Sequence, residues 1–246
     1  SVFIGYLAGS QVSVSSSVVA IGYSAARQGA ETGNIAIGYE THYIGSNEYA
    51  TAIGYKALRN LNEADEVWTT AVGYEAGFTA TGSGNNSYFG HRAGYAVTTG
   101  AENTLVGAFA GDSLTTGSNN IVLGYNAAAS SVSVSNEITL GNASITAIRA
   151  AVTSITSLSD ERDKKDIKDI TYGLGFINKL QIVSANKGKK DFGFIAQEVQ
   201  VHDDDTLRLI YDANPEKLEM SYGKLVPILV KAIQELSEKV TALENS

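Results

Sequence analysis

Few residues in this 246-residue chain are of types and spacings that do chemistry. It has no cysteine, so thiol catalysis, disulfides and Cys-ligated zinc or iron–sulfur sites are excluded together. His42, His91 and His202 have no partner at catalytic or zinc-binding spacing. The run His202-Asp203-Asp204-Asp205 carries the oxygen donors that a hard cation takes. Three consecutive carboxylates cannot all face one ion from a strand, so a solvated loop is expected and no metal is assigned. No phosphate loop, paired-carboxylate glycosidase site or Ser-His-Asp order stands out, and no cofactor is implied. Two features remain: a charged run from Ser159 to Ile167 and a set of regularly spaced tyrosines. By residue type alone the charged run starts a helix, with Ser159 as N-cap and Asp160 and Glu161 in the first turn. The tyrosines offer either stacking platforms for sugars or a structural ladder between coils, and the ladder is expected. Trp68, in the long insertion from Asn60 to Thr70, is the surface-loop candidate for ligand contact.

The elements that position these residues are repeats. An apolar residue followed by glycine, usually then an aromatic, recurs nine times: Ile4-Gly5-Tyr6, Ile21-Gly22-Tyr23, Ile37-Gly38-Tyr39, Ile53-Gly54-Tyr55, Val72-Gly73-Tyr74, Phe89-Gly90-His91, Val106-Gly107-Ala108, Leu123-Gly124-Tyr125 and Leu140-Gly141-Asn142. The glycine steps are 17, 16, 16, 19, 17, 17, 17 and 17. Alanine often follows three places after the glycine, and a second glycine follows it in several units (Gly9, Gly77, Gly94, Gly111). A unit of this length is too short for paired helices and too glycine-rich for one. It suits one or two short strands and a turn, stacked as a β-solenoid. Alternation places Ile35, Ile37 and Tyr39 on one face. So thin a coil is expected to bury little alone, and winding three copies about one axis would bury its apolar face.

Charge divides the chain. Residues 1–158 hold 5 Lys+Arg and 10 Asp+Glu, whereas the shorter stretch 159–246 holds 13 and 16. Glycine splits the other way, 20 before and 5 after. The shift predicts two domains, 1–150 and 151–246. The net charge of −8 argues against nonspecific nucleic-acid binding, which needs clustered Lys and Arg. No apolar run is long enough to span a membrane. The chain opens with Ser1 and shows no signal-peptide pattern, so it reads as a fragment of a longer polypeptide. The segment from Ser221 predicts an amphipathic terminal helix. Leu225, Leu229, Ala232 and Leu236, then Ile233, Leu236, Val240 and Leu243, advance in steps of three and four. That coiled-coil spacing favours parallel copies, and Pro227 is tolerated if it falls in the first turn.

The repeats, over roughly residues 1–145, resemble the head repeats of trimeric autotransporter adhesins and collar-like repeats of phage tail fibres. The segments Ser159-Asp160-Glu161-Arg162-Asp163-Lys164, Gly193-Phe194-Ile195-Ala196-Gln197-Glu198-Val199 and Tyr222-Gly223-Lys224-Leu225-Val226-Pro227 through Leu236, in this order, resemble the C-terminal intramolecular chaperone of phage tailspikes and tail fibres. That domain is also classed as peptidase family S74, and the resemblance covers about residues 157–246. It implies an N-terminal all-β repeat forming a trimeric β-solenoid, and a C-terminal α+β chaperone ending in a trimeric coiled-coil helix.

The implied enzyme is a single-turnover, self-cleaving Ser-Lys peptidase. Carried over, Ser159 is the nucleophile, Lys164 the general base, Asp160 an orienter, and Leu158–Ser159 the bond cut. A serine hydroxyl needs a base to take its proton, and a lysine serves only if burial or a neighbouring cation lowers its pKa. Lys165 either supplies such a cation or is itself an alternative base, whereas Asp163, where the family usually has an apolar residue, favours the charged lysine. Leu225, Leu229, Ile233, Leu236, Val240 and Leu243 are the implied trimerisation residues. The implied partners are two further copies of the chain and a host-cell receptor or glycan, with no nucleic acid and no membrane insertion. The implied setting is a virion tail fibre, assembled in the host cytoplasm and then freed of its chaperone. The alternative is a structural or receptor-binding fibre, of phage or bacterial adhesin, that retains a non-cleaving chaperone.

Overall fold

A computed structural model describes residues 1–12, 17–28, 32–45, 49–62, 68–82, 84–149, 168–186, 190–204, 207–212 and 218–245. The chain divides into two compact units, Ser1–Arg149 and Ala150–Ser246.

The first unit is a parallel β-solenoid with one three-residue strand per coil. The strands are β1 (Val2–Ile4), β2 (Val19–Ile21), β3 (Ile35–Ile37), β4 (Thr51–Ile53), β5 (Thr70–Val72), β6 (Ser87–Phe89), β7 (Thr104–Val106), β8 (Ile121–Leu123) and β9 (Ile138–Leu140). They form one nine-stranded sheet in sequence order. Each coil lies directly on the next, so Ile37 pairs with Ile53 and Phe89 with Val106. At the usual strand spacing the sheet runs roughly 38 Å along the coil axis.

The repeated glycine closes each strand. Gly107 sits at φ +131, and a Cβ there would lie 2.5 Å from the Gly124 carbonyl oxygen of the next coil. The turn that follows is left-handed at two alternate positions, as at Glu75 (φ 52) and Gly77 (φ 60). The second of these is where the second glycine of the repeat falls.

Alternation along each strand sets the inward and outward faces. The middle residue of each strand points inward: Ala20, Ala36, Ala52, Ala71, Tyr88, Leu105 and Val122 are fully buried. Ile35 and Ile37 share a face, as alternation predicts, and it is the outer one. Opposite the strands lie Ala25, Ala57, Ala76, Ala93, Ala110 and Ala127, also buried. Where the inward strand residue is alanine, as at Ala36 and Ala52, the flanking isoleucines or Thr51 and Ile53 take the outward positions, and where it is Tyr88 or Leu105 a glycine, Gly94 or Gly111, leaves it room. The solenoid therefore has a narrow core of its own, contrary to the expectation that one copy buries little.

A buried polar row holds the coils in register. Asn86 Oδ1 accepts the Asn103 N–H at 2.8 Å, Asn103 Oδ1 the Asn120 N–H at 3.0 Å, and Asn120 Oδ1 the Glu137 N–H at 3.0 Å. The amide nitrogens of Asn86, Asn103 and Asn120 donate to the carbonyls of Gly100, Gly117 and Val134 at 2.8–2.9 Å. Each side chain thus satisfies one donor and one acceptor that the turn leaves open.

The second unit is α+β. It contains α1 (Leu174–Ile177), a hairpin of β10 (Val183–Asn186) and β11 (Lys190–Gly193), α2 (Ala196–Gln200), a short pair β12 (Ile210–Tyr211) and β13 (Glu219–Met220), a 3-10 turn (Tyr222–Lys224) and α3 (Leu225–Glu244). Phe176, Val199, Leu209, Leu225 and Ile228 form its core. Pro227 is the third residue of α3, within the first turn, where its missing N–H costs no helix bond.

Candidate functional site

Leu158, Ser159, Asp160 and Lys164 lie outside the described residues, as does the helix start expected at Ser159. What the second unit does show is how the later two motifs meet. The Gly193–Val199 motif ends β11 and forms α2. The Phe194 N–H donates to the Tyr222 hydroxyl at 3.2 Å, and the two rings lie 5.9 Å apart. A Cβ on Gly193 would come within 2.6 Å of the same hydroxyl oxygen. Val199 packs in the core with Leu225 and Ile228 of the terminal segment. Glu235, three turns into α3, accepts the Leu174 N–H at 2.9 Å and so places a carboxylate at the start of α1.

Asp203 and Asp204 of the acidic run serve the backbone. Asp203 Oδ2 accepts the Ile210 N–H at 2.8 Å, and Asp204 Oδ1 accepts the Leu207 N–H at 3.0 Å. The Tyr172 hydroxyl donates to the other Asp204 oxygen. Beside them an open groove of about 680 Å³ mixes Asp203, Asp204 and Asp212 with Arg208 and Lys224. Among the described residues no three His, Asp or Glu side chains gather as metal ligands. No described helix is long and apolar enough to cross a membrane.

Helix α3 has two apolar sides. Leu225, Ile228 and Ala232 are buried in their own unit. Leu229, Ile233, Leu236, Val240 and Leu243 are exposed, Ile233 by 66%. The expected seam thus divides: Leu225 is taken up by its own core, and the other five lie on the open side. Val226, 58% exposed, extends the same three-four spacing one step toward the N-terminus. The seam then reads Val226, Ile233 and Val240 at one heptad position and Leu229, Leu236 and Leu243 at the other.

In the solenoid the tyrosines form a ladder. Tyr6, Tyr23, Tyr39, Tyr55, Tyr74 and His91 stack with centroids 4.9–5.4 Å apart. Their faces cover one another, so ring edges and hydroxyls meet solvent. Charges flank them: Arg59 Nε donates to Glu40 at 2.9 Å, and Arg92 lies 3.8 Å from Glu75. Burial alone would push the Glu40 carboxyl up, but Arg59, with Tyr39 and Lys56, outweighs it and holds the group below the usual range. Burial, then the Glu40 charge, raises the Tyr39 phenol. Trp68 is 62% exposed.

Residues 159–206 match the family model described as chaperone of endosialidase. This groups the C-terminal segment with a family of intramolecular chaperones. The match takes in Ser159, the Gly193–Val199 motif and the acidic run of this chaperone segment, and ends ahead of α3. No curated protein and no solved structure matches the chain. A parallel β-solenoid followed by a chaperone segment fits a tail fibre or tailspike with its chaperone.

Proposed function

We propose that the chain is part of a trimeric viral tail fibre or tailspike whose C-terminal chaperone assembles it and then cuts itself free. The observation that carries this reading is the order of parts. A solenoid with an outward apolar face precedes a chaperone match that begins at Ser159, the residue that would head the released piece. Parallel association of α3 through Leu229, Ile233, Leu236, Val240 and Leu243 would hold three chains in register. Slow parallel pairing upstream would then start from aligned coils, which lowers the entropic cost of long-range contacts.

Release follows from the chemistry of the charged run. Ser159 Oγ attacks the Leu158 carbonyl carbon while Lys164 takes the hydroxyl proton. The Leu158 C–N bond breaks, the Ser159 nitrogen leaves as an amine carrying that proton, and water hydrolyses the ester to a Leu158 carboxylate. Asp160 orients the pair. Such a dyad would act only in the assembled trimer, which fixes its geometry. The freed fibre would belong to the virion and meet a host-cell receptor or glycan.

Intact mass of freshly purified protein, beside Ser159→Ala, tests the cut. A break at Leu158–Ser159 in the wild type and none in the variant is the expected result. An uncut wild type would favour the second reading, a fibre with a retained chaperone, for which Asp163 beside Lys164 speaks.

A further inference from the structure

Charge is sorted around each coil. All four Lys and Arg of the coils, Arg27, Lys56, Arg59 and Arg92, stand two or five residues past a repeat glycine. Glu40, Glu75 and Asp112 are the acids at those positions, and the coils' other seven stand nine to thirteen residues past theirs. The arginines gather on one stacked row. Arg27 Nη1 donates to the Tyr43 hydroxyl at 2.6 Å, and the guanidinium carbons of Arg27 and Arg59, on the coils to either side, lie 5.5 and 4.9 Å from the Tyr43 ring centre. Phe78 and Tyr95 continue the row with centroids 5.3 Å apart, and the Arg92 guanidinium lies 3.9 Å from the Tyr95 ring centre. Guanidiniums thus recur on the second, fourth and sixth coils, about 10 Å apart along the axis at the usual strand spacing. Arg59 is paired with Glu40 and Arg92 faces Glu75, whereas Arg27 has no carboxylate partner among the described residues.

We propose that this row binds an acidic polysaccharide, with acid groups on alternate sugars seated on the guanidiniums of Arg27, Arg59 and Arg92. The inference rests on the fibre reading above, in which the solenoid meets a host-cell receptor or glycan, and names the class of glycan and its place. Three features select this ligand. The chain's net charge of −8 repels polyanions in general, so an anion settles where the cations collect, and over the second to sixth coils they outnumber Glu40 and Glu75. A guanidinium takes a carboxylate in a planar, two-point contact. Stacking on Tyr43 and Tyr95 holds these guanidiniums in place beforehand, so little side-chain freedom is lost on binding. A pyranose in a chain advances by about the height of one coil, so every second sugar falls opposite a guanidinium and the sugar between falls opposite Tyr43 or Phe78. The Tyr43 hydroxyl accepts from Arg27 and keeps its own proton to donate, which suits a sugar hydroxyl.

Calorimetric titration of the full chain with hyaluronate, whose acid groups stand on alternate sugars, tests the site. Neutral dextran and polyglutamate are titrated beside it. The proteins are the wild type, Arg27→Gln, Arg92→Gln and, as the control on another side of the coil, Glu102→Gln. Circular dichroism reads the fold and light scattering the mass. The expected result is hyaluronate binding that weakens by about tenfold or more in each arginine variant and is unchanged in Glu102→Gln. Arg92→Gln gives the readout if Arg27→Gln fails to fold. No binding of hyaluronate, or binding that folded arginine variants keep, would overturn the site. Equal affinity for dextran would overturn the part given to charge, and equal affinity for polyglutamate the choice of a saccharide. A single-chain mass that still binds hyaluronate through Arg27 and Arg92 would overturn the trimer and leave this inference standing.

Discussion

Gly94 faces the ring of Tyr88 so closely that a Cβ on it would lie 2.5 Å from Cδ1. The two positions share one space inside the coil and fill it in turn. Where the strand contributes Tyr88 or Leu105, the left-handed turn position is Gly94 or Gly111. Where the strand contributes Ala52, the turn position is Leu58, fully buried at φ 48. Core volume is thus shared between neighbouring coils rather than kept within each: where Ala71 and Gly77 are both small, Leu58 and Tyr88 of the coils on either side reach the space at Gly77.

Gly94→Ala should therefore lower stability by about 2–4 kcal/mol, from overpacking and from a Cβ at φ +62. Tyr88→Ala should cost about 3–5 kcal/mol through the cavity it leaves. The double variant should lose less than the sum by about 1 kcal/mol or more, since the new methyl enters the new space. Denaturant midpoints for the four proteins close the cycle. Additive losses would mean that the two positions do not share a space.

Asn103→Ala should loosen two coils at once. It leaves the Asn120 N–H and the Gly117 carbonyl without the partners they have at 3.0 and 2.9 Å. Each buried group so stranded costs about 1–3 kcal/mol. Faster hydrogen exchange at the Asn120 amide, with coils far from it unchanged, is the expected signature.

The period of the repeat was legible because glycine is the residue that fits where adjacent coils touch. The asparagine row was legible too, and was missed: Asn34, Asn86, Asn103 and Asn120 each stand four residues before a repeat glycine. The sidedness of the strands was not. Alternation gives two faces for a three-residue strand, and which one turns inward depends on what the turn contributes from across the coil, as Leu58 does beside Ala52 and Gly94 beside Tyr88. In α3 the heptad spacing was readable, but not that Leu225 would turn into its own core. That depends on Phe176 and Val199, which reach it through tertiary packing.

Acid should weaken the solenoid partly through Glu40. Its carboxyl is held below the ordinary value in the folded chain, chiefly by Arg59 acting against burial. A group depressed on folding stabilises above its unfolded pKa, near 4.3 for glutamate, and loses that effect as pH falls through the folded value. The pair is near the surface, so the contribution is under about 1 kcal/mol. Thermal midpoints from pH 6 down to about pH 3 should fall less steeply in Glu40→Gln than in the wild type. Parallel curves would place the acid sensitivity elsewhere.

The two apolar sides of α3 should answer differently to substitution. Ile228 is 3% exposed and packs with Phe176 and Leu209, so Ile228→Ala should destabilise its own unit by about 2–4 kcal/mol. Ile233 is exposed on the seam, so Ile233→Asp should leave the unit folded, because an exposed residue seldom costs more than about 0.5 kcal/mol. It should nevertheless disperse the copies, since a carboxylate at a seam position is buried only on association and pays to leave water. Light scattering reads the mass and circular dichroism the fold. An Ile233→Asp chain that keeps its multimeric mass would show that the copies are held by other contacts. The seam also bears on their number. With Val226, Ile233 and Val240 at one position and leucine at the other, an isolated two-stranded coil is the favoured state of such a helix. A peptide of residues 225–245 should therefore associate weakly or as a dimer, and a three-chain mass should require the full chain. A stable three-stranded peptide would shift the whole choice of number to α3.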